Sequence, residues 1–123
     1  VVGQLTQPGL LVLLGITHDD TSAQAETMAR KLHEMRILRD ERSVADTGAG
    51  VLIVSQFTLY GSTRKGRRPS FTSAARPEHA ESLIEEVVTR LRARGVTVAT
   101  GRFGATMAVH SVADGPFTVL LEV

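Results

Sequence analysis

Val51-Leu-Ile-Val-Ser-Gln-Phe-Thr-Leu59 is the stretch on which the fold turns. Its first four residues are apolar without alternation, the pattern of a strand buried on both faces, and polar groups begin only at its C-terminal end. Upstream, Gly9-Leu-Leu-Val-Leu-Leu-Gly-Ile16 is a second continuous apolar run of the same kind. Between the two, Met28, Ala29, Leu32 and Met35 recur at helical spacing, which predicts an amphipathic helix over 21–35 with Asp20 or Thr21 as its cap. Residues 39–50 are polar and contain glycine, and read as a loop. Downstream, Gly61 to Arg76 also reads as a loop, with Gly, Ser and Pro among cations. Pro77 suits a first helical position, Ala80, Leu83, Ile84, Val87, Val88 and Leu91 form one apolar stripe, and Gly95 closes the helix. Three short strands are expected after it, at Val96–Thr100, Met107–Val112 and Phe117–Val123. This order of elements predicts an α/β (or α+β) fold with a mixed sheet.

At 123 residues, with 42% apolar residues, the chain is expected to be a single domain, residues 1–123, able to bury a core. The absence of cysteine excludes disulfides, a thiolate zinc site and a cysteine nucleophile together. The longest apolar run is far too short for a membrane span, and no basic-then-apolar leader opens the chain. A soluble intracellular protein is the expectation. The net charge is only +1, yet between Thr47 and Pro77 there is no acidic residue, while Arg64, Lys65, Arg67, Arg68 and Arg76 all fall there. A basic patch on a near-neutral chain points to an anionic partner met at one place.

Alternation along the strand would set Ser55 and Phe57 on one face and Gln56 and Thr58 on the other, at the end where parallel sheets place their sites. A hydroxyl needs a neighbouring base to act as nucleophile, and no spacing ties His18, His33, His79 or His110 to Ser55 or Thr58. His18-Asp19-Asp20 holds metal-ligating types, but no second cluster has ligand spacing, and a loop leading into a helix cap explains it better. Gly61-Ser-Thr-Arg-Lys-Gly66 lacks P-loop spacing. Asp114-Gly-Pro116 reads, from spacing alone, as a turn between two strands.

Taken together, Ser55-Gln-Phe-Thr-Leu-Tyr60, Arg64-Lys-Gly-Arg-Arg-Pro-Ser-Phe71, Gly101-Arg-Phe-Gly-Ala-Thr-Met107 and Asp114-Gly-Pro-Phe-Thr118 resemble the D-aminoacyl-tRNA deacylases, also called D-tyrosyl-tRNA deacylases. The likeness runs from Val2-Gly3 to the last residue with the motifs in family order. It implies the deacylase fold, a mixed and strongly curved sheet packed with two amphipathic helices. It implies a cytoplasmic homodimer that hydrolyses the ester between a D-amino acid, or glycine, and the terminal adenosine of tRNA, a proofreading step of translation. No cofactor, metal, membrane or DNA is expected to take part.

By the same resemblance, Ser55, Gln56, Phe57 and Met107 bind substrate, and Thr58 positions it rather than attacking it, the tRNA 2′-hydroxyl assisting the reaction. Gly115 and Pro116, as a Gly–cis-Pro unit inserted from the other subunit, would exclude L side chains with backbone that cannot rotate away. Arg64, Lys65, Arg67 and Arg68 would meet the acceptor-end backbone. The sequence departs from the family in two places. Ala113 stands where the family usually has Asn, and the chain opens on Val1-Val2-Gly3 without the family's first strand and turn, whose arginine holds the Gly–Pro loop. We expect a truncated sequence rather than a natural loss. These departures motivate the alternative of a non-catalytic RNA-binding module on the same scaffold.

Overall fold

Parallel pairing decides the architecture. In the computed structural model, which describes residues 1–123, β1 (Gly9–Leu14) pairs with β2 (Gly50–Ser55) in register from Gly9 opposite Gly50 to Leu14 opposite Ser55. On its other side β2 pairs with β3 (Val98–Thr100), from Val51 opposite Val98 to Ile53 opposite Thr100, again in parallel. The order is β1-β2-β3, and antiparallel pairing is confined to isolated bridges. Parallel neighbours cannot be joined by a tight hairpin and need crossovers. α1 (Ser22–Glu34) and the short α2 (Val44–Thr47) lie in the first crossover, and α3 (Pro77–Ala93) lies in the second. Both crossovers step the same way along the sheet, so a common right hand places α1 and α3 on one face.

The core follows from that placement. Val51 and Ile53 of β2 are 0% and 1% exposed, and they share one cluster with Ala29 and Leu32 of α1 and Leu83, Val87 and Leu91 of α3. Thr21 caps α1 through a reciprocal box with Gln24, while the Asp20 carboxylate is engaged by the Thr17 N–H at 2.9 Å. Pro77 opens α3 at its first position as anticipated, with Arg76 preceding it as the cap residue. Its end is a Schellman motif: Gly95, at φ +84°, donates to the Arg92 carbonyl (2.9 Å) and Val96 to the Leu91 carbonyl (3.2 Å). That motif holds Val96, so the strand expected over Val96–Thr100 begins at Val98.

The α/β expectation holds, but the sheet is parallel throughout rather than mixed, because no antiparallel strand joins it, and three local expectations do not hold. Residues 39–50, expected as a loop, contain a 3₁₀ turn at Arg39–Glu41 and then α2, which Ser43 and Asp46 close with a capping box. The strand expected over Val51–Leu59 ends at Ser55 and gives way to a 3₁₀ turn, Phe57–Tyr60. Met107–Val112 and Phe117–Val123 are not strands: residues 106–123 make no backbone–backbone hydrogen bond, so their β-forming residues have no ladder to join.

An ion network ties α1 to α3. Glu26 accepts from Arg90 (2.5 Å) and Arg94 (3.2 Å), and Glu86 accepts from Ser22 and Arg90, both at 2.9 Å. The hydrogen bond from Arg90, then that from Arg94, holds the Glu26 carboxyl below the ordinary 4.5, and the Ser22 hydroxyl followed by Arg90 does the same for Glu86. A carboxylate depressed in the folded state contributes stability above its unfolded value, and the contribution is lost as pH falls through the native one. Melting temperature is therefore predicted to drop as pH falls from 4.5 through these lower native values, modestly because the groups are solvated. Glu26→Gln should flatten that drop in a thermal-melt series; a variant that melts with the parent's pH dependence contradicts the assignment.

Candidate active site at the carboxyl end of the sheet

Because all three strands run the same way, Leu14, Ser55 and Thr100 finish at one edge. The Gln56 N–H continues the ladder to the Leu14 carbonyl (2.8 Å), but its backbone, at φ −145° and ψ 79°, then leaves the strand. Leu59 N–H donates to the Gln56 carbonyl (3.2 Å) and Gly61 N–H to that of Thr58 (2.9 Å), local bonds that replace the ladder and wind Phe57–Tyr60 into its turn. The two-faced alternation expected for Ser55 to Thr58 is thereby replaced by a single turn at the sheet edge. Gly15 allows it: a Cβ there would lie 3.0 Å from the Gln56 carbonyl oxygen and 3.3 Å from Leu59 Cβ.

Within the turn, Gln56 Nε2 donates to Thr58 Oγ1. Phe57 is 57% exposed and meets Phe71 edge-to-face, the ring centroids 5.1 Å apart. Met107 reaches the same edge. Gly101 N–H donates to the Ile53 carbonyl (3.1 Å), and a Cβ on Gly101 would lie 2.7 Å from Met107 Sδ and 3.8 Å from Val54 Cγ2. The thioether therefore lies against the Gly101 backbone near Val54, the residue before Ser55. Ser55, Gln56, Phe57, Thr58 and Met107 are thus gathered around one end of β2.

The basic loop leaves directly from this turn. Ser62 and Ser70 exchange backbone hydrogen bonds of 2.7 and 2.9 Å, pinching off a projection with Gly66, at φ +66°, within it. Its returning limb is braced to the extension of β1. Ala75 N–H donates to the Ile16 carbonyl (2.9 Å), Thr17 Oγ1 donates to the Ser73 carbonyl (2.6 Å), and His18 Nε2 meets the Thr72 carbonyl (2.6 Å). Arg64, Lys65, Arg67 and Arg68 are all exposed on the projection, and none of the structure's ion pairs uses them. His18, considered above as a metal ligand, serves as one of these braces.

No histidine hydrogen-bonds to Ser55 or Thr58: His18 meets the Thr72 carbonyl, His79 meets the Asp20 carbonyl (2.9 Å) and His33 faces Arg94. The arrangement can therefore orient and bind, but it offers Thr58 an amide where a nucleophile would need a base.

Gly115 and Pro116 lie elsewhere. Their peptide bond is cis, Gly115 has φ +128°, and the three heavy atoms nearest a Cβ built on Gly115 all belong to Phe117. No atom of Ser55–Thr58 is among those nearest neighbours. The dipeptide belongs to the segment that, with β1 and α1, walls an open groove of about 1700 Å³. Leu59 and Tyr60 also line this groove, and burial, aided by Asp20 and Glu122, pushes the Tyr60 hydroxyl pKa up. Sequence reasoning missed the Phe57–Phe71 contact, the groove face of Tyr60, and Arg39, which binds the Asp114 carboxylate at 2.8 and 2.9 Å. Only the paired aromatics of two adjacent motifs carried any signal for these.

Comparison with known proteins now gives this geometry a family. The chain matches the family described as D-Tyr-tRNA(Tyr) deacylase over residues 1–122. It is 61% identical over 122 residues to a D-aminoacyl-tRNA deacylase of Acidothermus cellulolyticus, covering 99% of this chain and 86% of that protein. It is 59% identical, with the same coverage, to the enzyme of that name from Kineococcus radiotolerans. Among solved structures it resembles one described as c-Myc DNA Unwinding Element Binding Protein, with a TM-score of 0.83 and 38% identity over 92% of this chain and 80% of that one. A probable eukaryotic D-amino acid tRNA deacylase, at a TM-score of 0.67 and 18% identity over 79% of this chain and 75% of that one, shares the fold. With a match that runs from its first residue to its last but one, the chain belongs to the D-Tyr-tRNA(Tyr) deacylase family.

Proposed function

We propose that this chain is a hydrolase that cleaves the ester joining a D-amino acid, or glycine, to the terminal adenosine of tRNA, releasing free tRNA and amino acid as a proofreading step of translation. The observation that carries this reading is its similarity, along 99% of its length, to enzymes named for that activity. The site geometry agrees with it: an exposed aromatic, an amide and hydroxyls stand at the carboxyl end of a parallel sheet, beside a braced loop of unpaired cations.

In the reaction, water adds to the ester carbonyl, the carbonyl–ribose oxygen bond breaks, and the ribose 3′-oxygen leaves as a hydroxyl. An aminoacyl ester is already reactive, so orientation next to the vicinal 2′-hydroxyl supplies much of the rate; effective molarities lower such barriers by about 7–11 kcal/mol at best. Ser55, Gln56, Phe57 and Met107 bind the aminoacyl end, and Thr58, tied to Gln56, holds its placement. Gly115 and Pro116 act from a second copy of the chain, excluding an L side chain by backbone. That a Cβ on Gly115 would find only Phe117 among its nearest non-adjacent neighbours, and no atom of Ser55–Thr58, supports a site completed in a homodimer. Such an enzyme acts where translation occurs, in the cytoplasm.

Two outcomes are expected. Thr58→Ala should lower kcat on D-tyrosyl-tRNA by less than about tenfold, against the roughly million-fold that loss of a true nucleophile costs. A loss on that larger scale would restore Thr58 as the attacking group. Replacing Arg67 and Arg68 together by Ala should weaken tRNA binding and raise KM while leaving D-over-L preference alone. It should also flatten the log–log salt slope by roughly 0.7 to 0.9 for each phosphate that is no longer neutralised. A double variant that keeps the parent's affinity and slope while its dimer loosens would assign these cations to the subunit interface instead.

A further inference from the structure

The segment that carries Gly115 and Pro116 has few anchors. Residues 106–123 form no backbone–backbone hydrogen bond; Met107 lies against Gly101 near one end and Leu121 packs on the core near the other. Between them, the Asp114 carboxylate is the segment's one polar side-chain tie, accepting from Arg39 Nη2 at 2.8 and 2.9 Å. Asp114 immediately precedes Gly115. The other partner stands on an unusual support: Leu38 N–H closes on the Arg42 carbonyl (2.9 Å), and between them Asp40 (φ 62°) and Glu41 (φ 55°) are the chain's two non-glycine residues with positive φ. Side chains rarely tolerate that backbone, and where it persists it tends to serve a site.

We propose that Arg39, acting through Asp114, is a further positioning residue that aims the Gly115–Pro116 dipeptide at the substrate. The inference rests on the reading that this dipeptide selects chirality. Both side chains are largely exposed, 76% and 70%, so the pair adds little to folding. A steric filter, however, discriminates only while its backbone holds still to within about half an ångström. A guanidinium fixed on a turn closed by its own hydrogen bond, and meeting both oxygens of the Asp114 carboxylate, suits that task.

The test measures kcat and KM on D- and L-tyrosyl-tRNA, with thermal melts, for Arg39→Ala, Asp114→Ala and the charge exchange of Arg39→Asp with Asp114→Arg; Gly115→Ala is the reference. Each single alanine variant should lower kcat on the D-ester about two- to fivefold, the scale of one exposed ion pair, and narrow D-over-L preference. KM for tRNA and the melting temperature should hold. The charge exchange should recover both kcat and preference, which a merely structural role would not do. Single variants with the parent's kcat and preference, or an exchange no better than the singles, overturn the proposal. The reference then shows what failed: a Gly115→Ala protein with altered preference leaves the chiral reading standing and removes only the tether, whereas unaltered preference removes both.

Discussion

Two side chains of β2, Val51 and Ile53, must leave water on a strand that has hydrogen-bonding neighbours on both sides, and both neighbours run parallel to it. From this one requirement the rest follows in order. Parallel partners force two long crossovers, the common hand of those crossovers puts α1 and α3 on one face, and Leu91 and Ala29 there reach 0% exposure. The same requirement sends the carboxyl ends of the strands to a single edge, where the chain has unpaired groups available for chemistry.

What stands at that edge is a controlled departure from the ladder. Ser55 is the last residue of β2, and the three residues after it turn away on local hydrogen bonds, exposing Phe57 while Gln56 and Thr58 bond to each other. The basic projection that follows is not a slack loop, since Ser62–Ser70 pairing and the bonds to Ile16, Thr17 and His18 brace it against β1. A rigid scaffold with an exposed turn and a cationic arm is a device for placement. It fits a substrate whose own hydroxyl sits next to the bond to be broken.

The parts of this protein legible in its sequence are those whose signal is local. β1, β2, α1 and α3 announce themselves by unbroken apolar runs or a helical stripe, and Thr21, Pro77 and Gly95 mark helix ends through chemistry within a few residues. α2 was also legible, because Ser43 and Asp46 have capping-box spacing, but the polar composition around them masked it. The C-terminal strands failed for the opposite reason: β-forming residues specify a strand only when a partner ladder exists, and 106–123 has none here. The motif singles out Ser55 to Thr58 and Met107 as candidates but not their geometry, since the turn is set by packing against Gly15. Arg39 and Asp114 are 75 residues apart, and no periodicity links them.

The central claim is that this scaffold hydrolyses the aminoacyl ester and does so by chirality. The most direct measurement is single-turnover release of tyrosine from D-tyrosyl-tRNA and L-tyrosyl-tRNA by the unaltered protein, at matched tRNA occupancy. The account predicts rapid release from the D-ester and an L-ester that decays no faster than in buffer. Equal release from both, or tight binding with neither ester cleaved, would contradict it.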